Sequence, residues 1–329
     1  MKTKINHSFI LVLSITAVLI VTGCSKITAE TSAASSNADN SASGVAATTA
    51  TSAVSSSSSA GTIAFNKNFN IMDYLVPSAL ASTACPTPAT SGAGCAVIGG
   101  SMYLTYSGCS FGNSAATWTG VQMIAANVGL VCGTFPSAGL TGFSRQAVAN
   151  SGSTTPGMIV RTTVLGTTET IDDATANLGN FDGDTIGANI GSGYGANIAF
   201  SGGKRSGMTV AHHITSASFD HSVSGNLTIS EASATAATRT ITGTMTVYHN
   251  LLRVVGTSTF NSVVHSMNCC QPTGGSVTTT FAAGTNVTPR PLGLAMVGKT
   301  ETLTFTGCGT ATFTDTAGTT STVSVNHCF

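Results

Sequence analysis

An antiparallel all-β domain, of meander or sandwich type and stiffened by disulfides, is what this sequence predicts, and three observations predict it. Apolar and polar residues alternate with a period of two in several separate runs. Glycine and Asn/Asp clusters divide those runs, as hairpin turns require. The cysteines are even in number once the first is assigned a separate role, as a disulfide framework demands.

The alternation is clearest in ASFDHSVSGNLTI at 217–229, where Ala217, Phe219, His221, Val223, Leu227 and Ile229 share one side. Ser, Asp, Asn and Thr hold most of the other. The same pattern returns in TITGTMTVYH at 240–249, GSVTTTF at 275–281, ETLTF at 301–305 and TSTVSVNHC at 320–328. Thr and Val dominate these runs, and β-branched side chains suit a pleated surface. The expectation is a sheet with one aliphatic face and one face of hydroxyls.

Charge is scarce. Charged residues make up 7% of the chain and the formal net charge is zero, against roughly a quarter charged in ordinary soluble domains. There is no basic footprint and no aromatic ladder, which excludes nucleic acid as a partner. A surface without charge repulsion associates readily, so anchoring, glycosylation or contact with an envelope polymer or protein partner each suits it.

At the N-terminus, Lys2 and Lys4 precede FILVLSITAVLIV at 9–21, a run of signal-peptide length and short of the ~20 residues that span a bilayer. It ends in Val21, Thr22, Gly23 and Cys24, which resembles the lipobox of bacterial lipoproteins. The resemblance covers residues 1–25 only. It implies a signal peptide over 1–23, cleavage before Cys24, and a diacylglyceryl thioether with an amide-linked acyl chain, such as palmitate, on Cys24. Ser25, where the family carries aspartate for inner-membrane retention, points to the outer membrane. Residues 28–61 are almost wholly Ser, Ala, Thr, Asn and Gly without an aromatic, so 24–61 reads as the lipidated cysteine and a disordered tether. Residues 62–329 then form the β-rich extracytoplasmic domain, with a short helix expected near 71–75, stopped by Pro77.

Nine cysteines less Cys24 leave eight: Cys85, Cys95, Cys109, Cys132, Cys269, Cys270, Cys308 and Cys328. No C-x-x-C occurs, so neither a zinc ribbon nor a thioredoxin-like motif is supported. LTYSGC at 104–109 and LTFTGC at 303–308 match closely, which allows two similar sheet units. The expected bridges are Cys85–Cys95 and Cys308–Cys328, the latter closed by the turn DTAG at 315–318. Cys269 and Cys270, facing opposite sides of a strand, would then reach Cys109 and Cys132 and clamp the halves together. A soft-metal set of His265, Met267 and Cys269 is the lesser alternative.

Catalytic patterns are weak, and neither a catalytic residue nor a cofactor is assigned. Glu169, Asp172, Asp173, Asp182 and Asp184 gather in a stretch that reads as a loop. Asn180, Asp182 and Asp184 have the spacing of a calcium loop, making Asp182 and Asp184 a weak calcium candidate. Thr185 and Gly191 stand where an EF-hand needs Gly and Glu. GSGYG at 191–195 lacks the strand-then-helix setting of a phosphate cradle. His212, His213 and Asp220 invite a hydrolase reading over 169–221, without a GxSxG or HExxH motif. His221 falls on the apolar side of its strand and reads as a core histidine. A membrane barrel ending at Phe329 fails for want of aromatic girdles, with one Trp and 6% aromatic residues. The favoured function is a lipid-anchored envelope protein with a binding or structural role.

Overall fold

The computed structural model describes residues 41–55, 85–86, 92–110, 116–133, 139–162, 168–173, 180–183, 186, 195–217, 219–233, 236–266, 269 and 272–325. Fifteen strands form one antiparallel sheet: β1 (Cys95–Ile98), β2 (Ser101–Cys109), β3 (Thr117–Ala126), β4 (Gly142–Val148), β5 (Met158–Thr162), β6 (Thr168–Asp172), β7 (Gly195–Ser201), β8 (Lys204–Ser216), β9 (Asp220–Ser230), β10 (Thr238–His249), β11 (Val254–Ser266), β12 (Pro272–Ala283), β13 (Thr300–Gly307), β14 (Thr310–Thr314) and β15 (Thr320–Ser324). Among the described residues two helices accompany them, α1 (Ala42–Ser55) and α2 (Pro291–Met296). From β7 to β15 the sheet is a plain meander, each strand pairing with the next. The expected antiparallel β architecture is therefore present, as a single hydrogen-bonded sheet rather than two packed units.

The sheet departs from a meander between β3 and β8. One half of that gap is filled by β4 and β7, the other half by β5 and β6, laid end to end. Backbones crowd along this seam. Gly195 has φ 117°, and a Cβ there would lie 2.1 Å from the Arg145 carbonyl oxygen. Gly120, at φ 129°, faces the Met158 carbonyl in the same way at 2.5 Å. Only glycine tolerates both the backbone angle and the approach.

One face of the sheet is buried from β2 to the residue after β15. Leu104, Ile124, Ile198, Val210, Val247, Leu303, Val323 and Val325 belong to one contiguous apolar cluster that also holds Ala42, Val45, Ala46, Ala47 and Ala50 of α1. The expected tether gives way here to structure. Residues 42–55 form a helix packed against β7 through β13, with Ala46 and Ala50 fully buried. Ser41 caps it, its Oγ accepting from the Gly44 N–H at 3.0 Å. The composition that reads as linker fits here for a physical reason: small side chains let a helix lie close to a sheet. Gly256 faces the helix: a Cβ there would touch the Ala42 Cβ at an ordinary 3.6 Å but crowd the Thr279 methyl at 2.7 Å.

Three disulfides join described cysteines: Cys85–Cys109, Cys95–Cys132 and Cys269–Cys308. The expected Cys85–Cys95 and Cys308–Cys328 bridges, and the clamp from Cys269 to Cys109 or Cys132, are corrected. Cys85 runs beside Ser110, its N–H donating to the Ser110 carbonyl, which brings it to Cys109. Cys269 lies between β11 and β12 and Cys308 between β13 and β14; pairing of β12 with β13 sets those two turns at the same end of the sheet. Asp315 does shape the DTAG turn, its Oδ1 accepting from the Ala317 and Thr319 N–H groups at 2.9 Å each. Cys24, Cys270, Cys328, Asp184, Met267 and the 71–75 segment lie outside the described residues.

Candidate functional site

Period two places every second side chain on one face, and the antiparallel register aligns those side chains across strands. The outer face carries one unbroken rank over eleven strands: Ala125, Ser144, Asn197, Thr209, Asn226, Thr244, Thr259, Thr278, Thr302, Thr314 and Thr320. None of these residues is buried. A parallel rank runs Ser224, Thr246, Thr257, Thr280 and Thr300. At ~4.8 Å between strands the longer rank extends about 48 Å along the sheet, following its twist. Neighbouring hydroxyls meet within it, Thr278 with Thr302 at 3.3 Å and Thr314 with Thr320 at 3.1 Å. Its β3–β9 end borders a shallow cleft of about 610 Å³ lined by polar Asn127, Thr141, Ser144, Asn197, Thr209 and Asn226 and by apolar Phe143, Ile198, Met208 and Leu227, with no charged side chain.

Nine of the described charged residues lie instead in the interior. Arg161, Glu169, Asp172, Asp173, Asp182, Arg205, Glu231, Arg239 and Glu301 are all buried. Arg161 pairs with Glu169 across β5 and β6 at 2.9 Å. Glu231 Oε2 accepts from Arg205 Nη1 and Arg239 Nε, each at 2.9 Å, while its Oε1 accepts the Arg205 backbone N–H at 2.6 Å. Burial, with Arg239 adding to it, lowers the Arg205 guanidinium to about 10. Glu301 Oε1 accepts from the Ser43 N–H at 2.9 Å and the Ser43 hydroxyl at 2.7 Å, a second cap on α1 delivered from β13. Burial raises the Glu301 carboxyl against those bonds.

The acidic stretch 169–173 is a strand and its exit, not the expected loop, and its last residue closes the seam. Asp173 Oδ2 accepts the Ala147 N–H at 2.8 Å, at a point on β4 beyond its pairing with β7. Asp173 Oδ1 meets His212 Nδ1 at 2.7 Å. His212 is the one residue of β8 between the end of the β7 ladder and the start of the β6 ladder. Arg145, which interacts with both Asp173 and Tyr106, is lowered by burial, and burial raises the Tyr106 hydroxyl. His213 Nε2 meets Asp220 Oδ1 at 2.8 Å on the other face, where Asn250 donates to the same oxygen at 2.6 Å. Among the described residues, the side-chain partners of His212 Nδ1 and His213 Nε2 are the carboxylates of Asp173 and Asp220.

Of the calcium candidate, Asp182 is among the described residues. Its carboxylate accepts from Thr285 N–H, Thr285 Oγ1 and Asn286 N–H at 2.7, 2.9 and 2.6 Å. Those donors, the Thr285 N–H first, hold its carboxyl below the usual range. It latches a loop onto the 284–287 turn. Among the described residues no group of three His, Cys, Asp or Glu is placed to hold a metal, and the partner of Cys269 is Cys308.

His221 is fully buried, as its place on the apolar side of the strand implies, but neither ring nitrogen has a hydrogen-bond partner. Its ring lies 4.4 Å from that of His249. Burial, then His249, drives His221 well below its ordinary value; burial takes His249 to about 4. Burial next to Arg239 and Arg205 takes His265 to about 3. All three rings stay neutral in the folded state and titrate near 6.5 when unfolded. The unfolded chain therefore takes up protons first as pH falls through 6.5, and stability drops until the folded values are reached. His249 alone accounts for about 3 kcal/mol; Glu301 runs the opposite way. Urea midpoints are expected to fall steeply from pH 7 to pH 4, and a flat profile would contradict the neutral, buried histidines.

Comparison with known proteins finds no matching family model, no matching curated protein and no matching solved structure.

Proposed function

We propose that the chain is a lipid-anchored envelope protein whose outer hydroxyl face binds an uncharged, hydroxyl- or amide-bearing polymer laid across the strands. The observation that carries this reading is the sorting of side chains by face: nine of the described charged residues are buried inside, while an in-register rank of Thr, Ser and Asn, ending in Ala125, runs over eleven strands outside. Many weak hydroxyl contacts repeated along a surface suit a repeating ligand, because each adds little alone and together they fix orientation. The absence of charge in the cleft at 125–227 favours a neutral partner over a phosphorylated or acidic one. The lipid anchor at Cys24 rests on the lipobox resemblance and puts this face near envelope polymers, with the outer membrane as the expected site.

The test combines labelling and co-sedimentation. Cys24→Ala is expected to abolish lipid labelling and release the protein from the membrane fraction. Thr259→Lys with Thr302→Lys is expected to weaken co-sedimentation with purified insoluble envelope glycan at least tenfold, with folding unchanged, because both sites are surface positions of the rank. Equal binding by the double variant would sink the face; retention of Cys24→Ala in the washed membrane would sink the anchor.

A further inference from the structure

The arrangement around Arg239 contains more donors than the protein satisfies. Arg239 on β10 is 1% exposed and His265, directly opposite on β11, is 2% exposed. Directly opposed residues on neighbouring strands hold their Cβ atoms about 5 Å apart on the same face. Arg239 Nε reaches Glu231 Oε2, an oxygen already engaged by Arg205 Nη1, while the other Glu231 oxygen takes the Arg205 N–H. Arg239 Nη1 has no hydrogen-bond partner, and neither do Nδ1 and Nε2 of His265. A buried guanidinium with a divided counter-charge and an unused N–H is costly, and an imidazole beside it with both nitrogens unused adds a second unmet donor.

We propose that Arg239 and His265 form the binding site of a small monovalent anion of the halide class. Arg239 Nη1 and one ring N–H of His265 donate to it. Its charge completes what Glu231, shared between two arginines, supplies only in part, so the shortfall at Arg239 is at most one charge. Both residues are shielded from solvent, which favours a compact ion, and a doubly charged oxyanion would exceed the shortfall of one charge. Such an ion would bind only the folded chain and so couple fold stability to the halide around it. This site lies on the inner face and is independent of the hydroxyl face.

Thermal unfolding of the full chain in sodium chloride and in sodium gluconate at matched ionic strength tests this. Chloride is expected to raise the midpoint by roughly several degrees and then saturate, as for a folded-state ligand. Bromide is expected to substitute and to give an anomalous-scattering peak between Arg239 and His265. Arg239→Met is expected to lose the chloride dependence. Equal midpoints in the two salts, the same chloride response in Arg239→Met, or a bromide peak only elsewhere would overturn the assignment. Should Arg239→Met not fold, the wild-type salt comparison and the bromide position decide it.

Discussion

Glu231→Ala is expected to destabilise the protein by about 4 kcal/mol or more, the largest effect of any single substitution considered. Breaking a buried ion pair by removing one partner costs about 3–5 kcal/mol because it leaves an uncompensated charge in a dry site. Here the removed carboxylate serves two guanidiniums at once, through Arg205 Nη1 and Arg239 Nε. A domain with the usual 5–15 kcal/mol of stability would lose a large part of it. Urea denaturation reads the change directly, and a loss below about 1 kcal/mol would show that both arginines find water or another partner once Glu231 is gone. Replacing Arg205, Glu231 and Arg239 together with apolar residues of similar volume is expected to restore much of the loss, since the cost lies in the unpaired charge rather than in the missing bond.

Removing α1 should be comparably severe. Deleting residues 42–55 uncovers the inner face over Val254, Val277, Phe281 and Leu303, which are buried alongside it in the same cluster. The shortened chain is expected not to fold cooperatively. Glu301→Ala is the milder probe, with an expected cost of about 3 kcal/mol: two charge-assisted hydrogen bonds to Ser43 are lost and the N-terminus of α1 loses a carboxylate. Far-UV circular dichroism with denaturant titration checks both. Normal cooperative unfolding of the deletion would return residues 42–55 to the role of a linker.

What was legible in the sequence follows the strength of local periodicity. Strands β9, β10, β12, β13 and β15 were readable because apolar and polar residues alternate along them, and the hydroxyl face followed from the same alternation. The helix α1 was not readable: ASGVAATTATSAVS carries no large apolar side chain, and its place in the core is set by what it meets. The clue lay on the strands. Ser258, Thr279 and Glu301 occupy inward positions in consecutive register, where the alternation calls for aliphatic residues, and Ser258 and Thr279 bond to each other at 2.7 Å. A polar strip on an apolar face signals a polar partner, and Glu301 holds the start of α1.

The buried charges were hidden for a related reason. Arg161, Glu169, Arg239 and His265 each sit at inward positions, but their pairing depends on strand neighbours that composition does not name. Asp173 and His212 meet only because two strand pairs are laid end to end between β3 and β8, a topology without a local signature. The disulfides failed for the same cause. Sequence proximity suggested Cys85–Cys95, whereas strand order sets Cys85 beside Cys109 and Cys269 beside Cys308.

Amide hydrogen exchange across Ser43 to Ala50 tests most directly whether the chain closes its apolar and charged interior over α1 and leaves the hydroxyl face as its working surface. Ser43, Ala46, Ala47 and Ala50 are buried, so their amides are expected to exchange as slowly as those of Val247, Val254 and Leu303 in the centre of the sheet. Exchange of 43–50 at the rate of an unstructured peptide, with the sheet still protected, would contradict the closed interior.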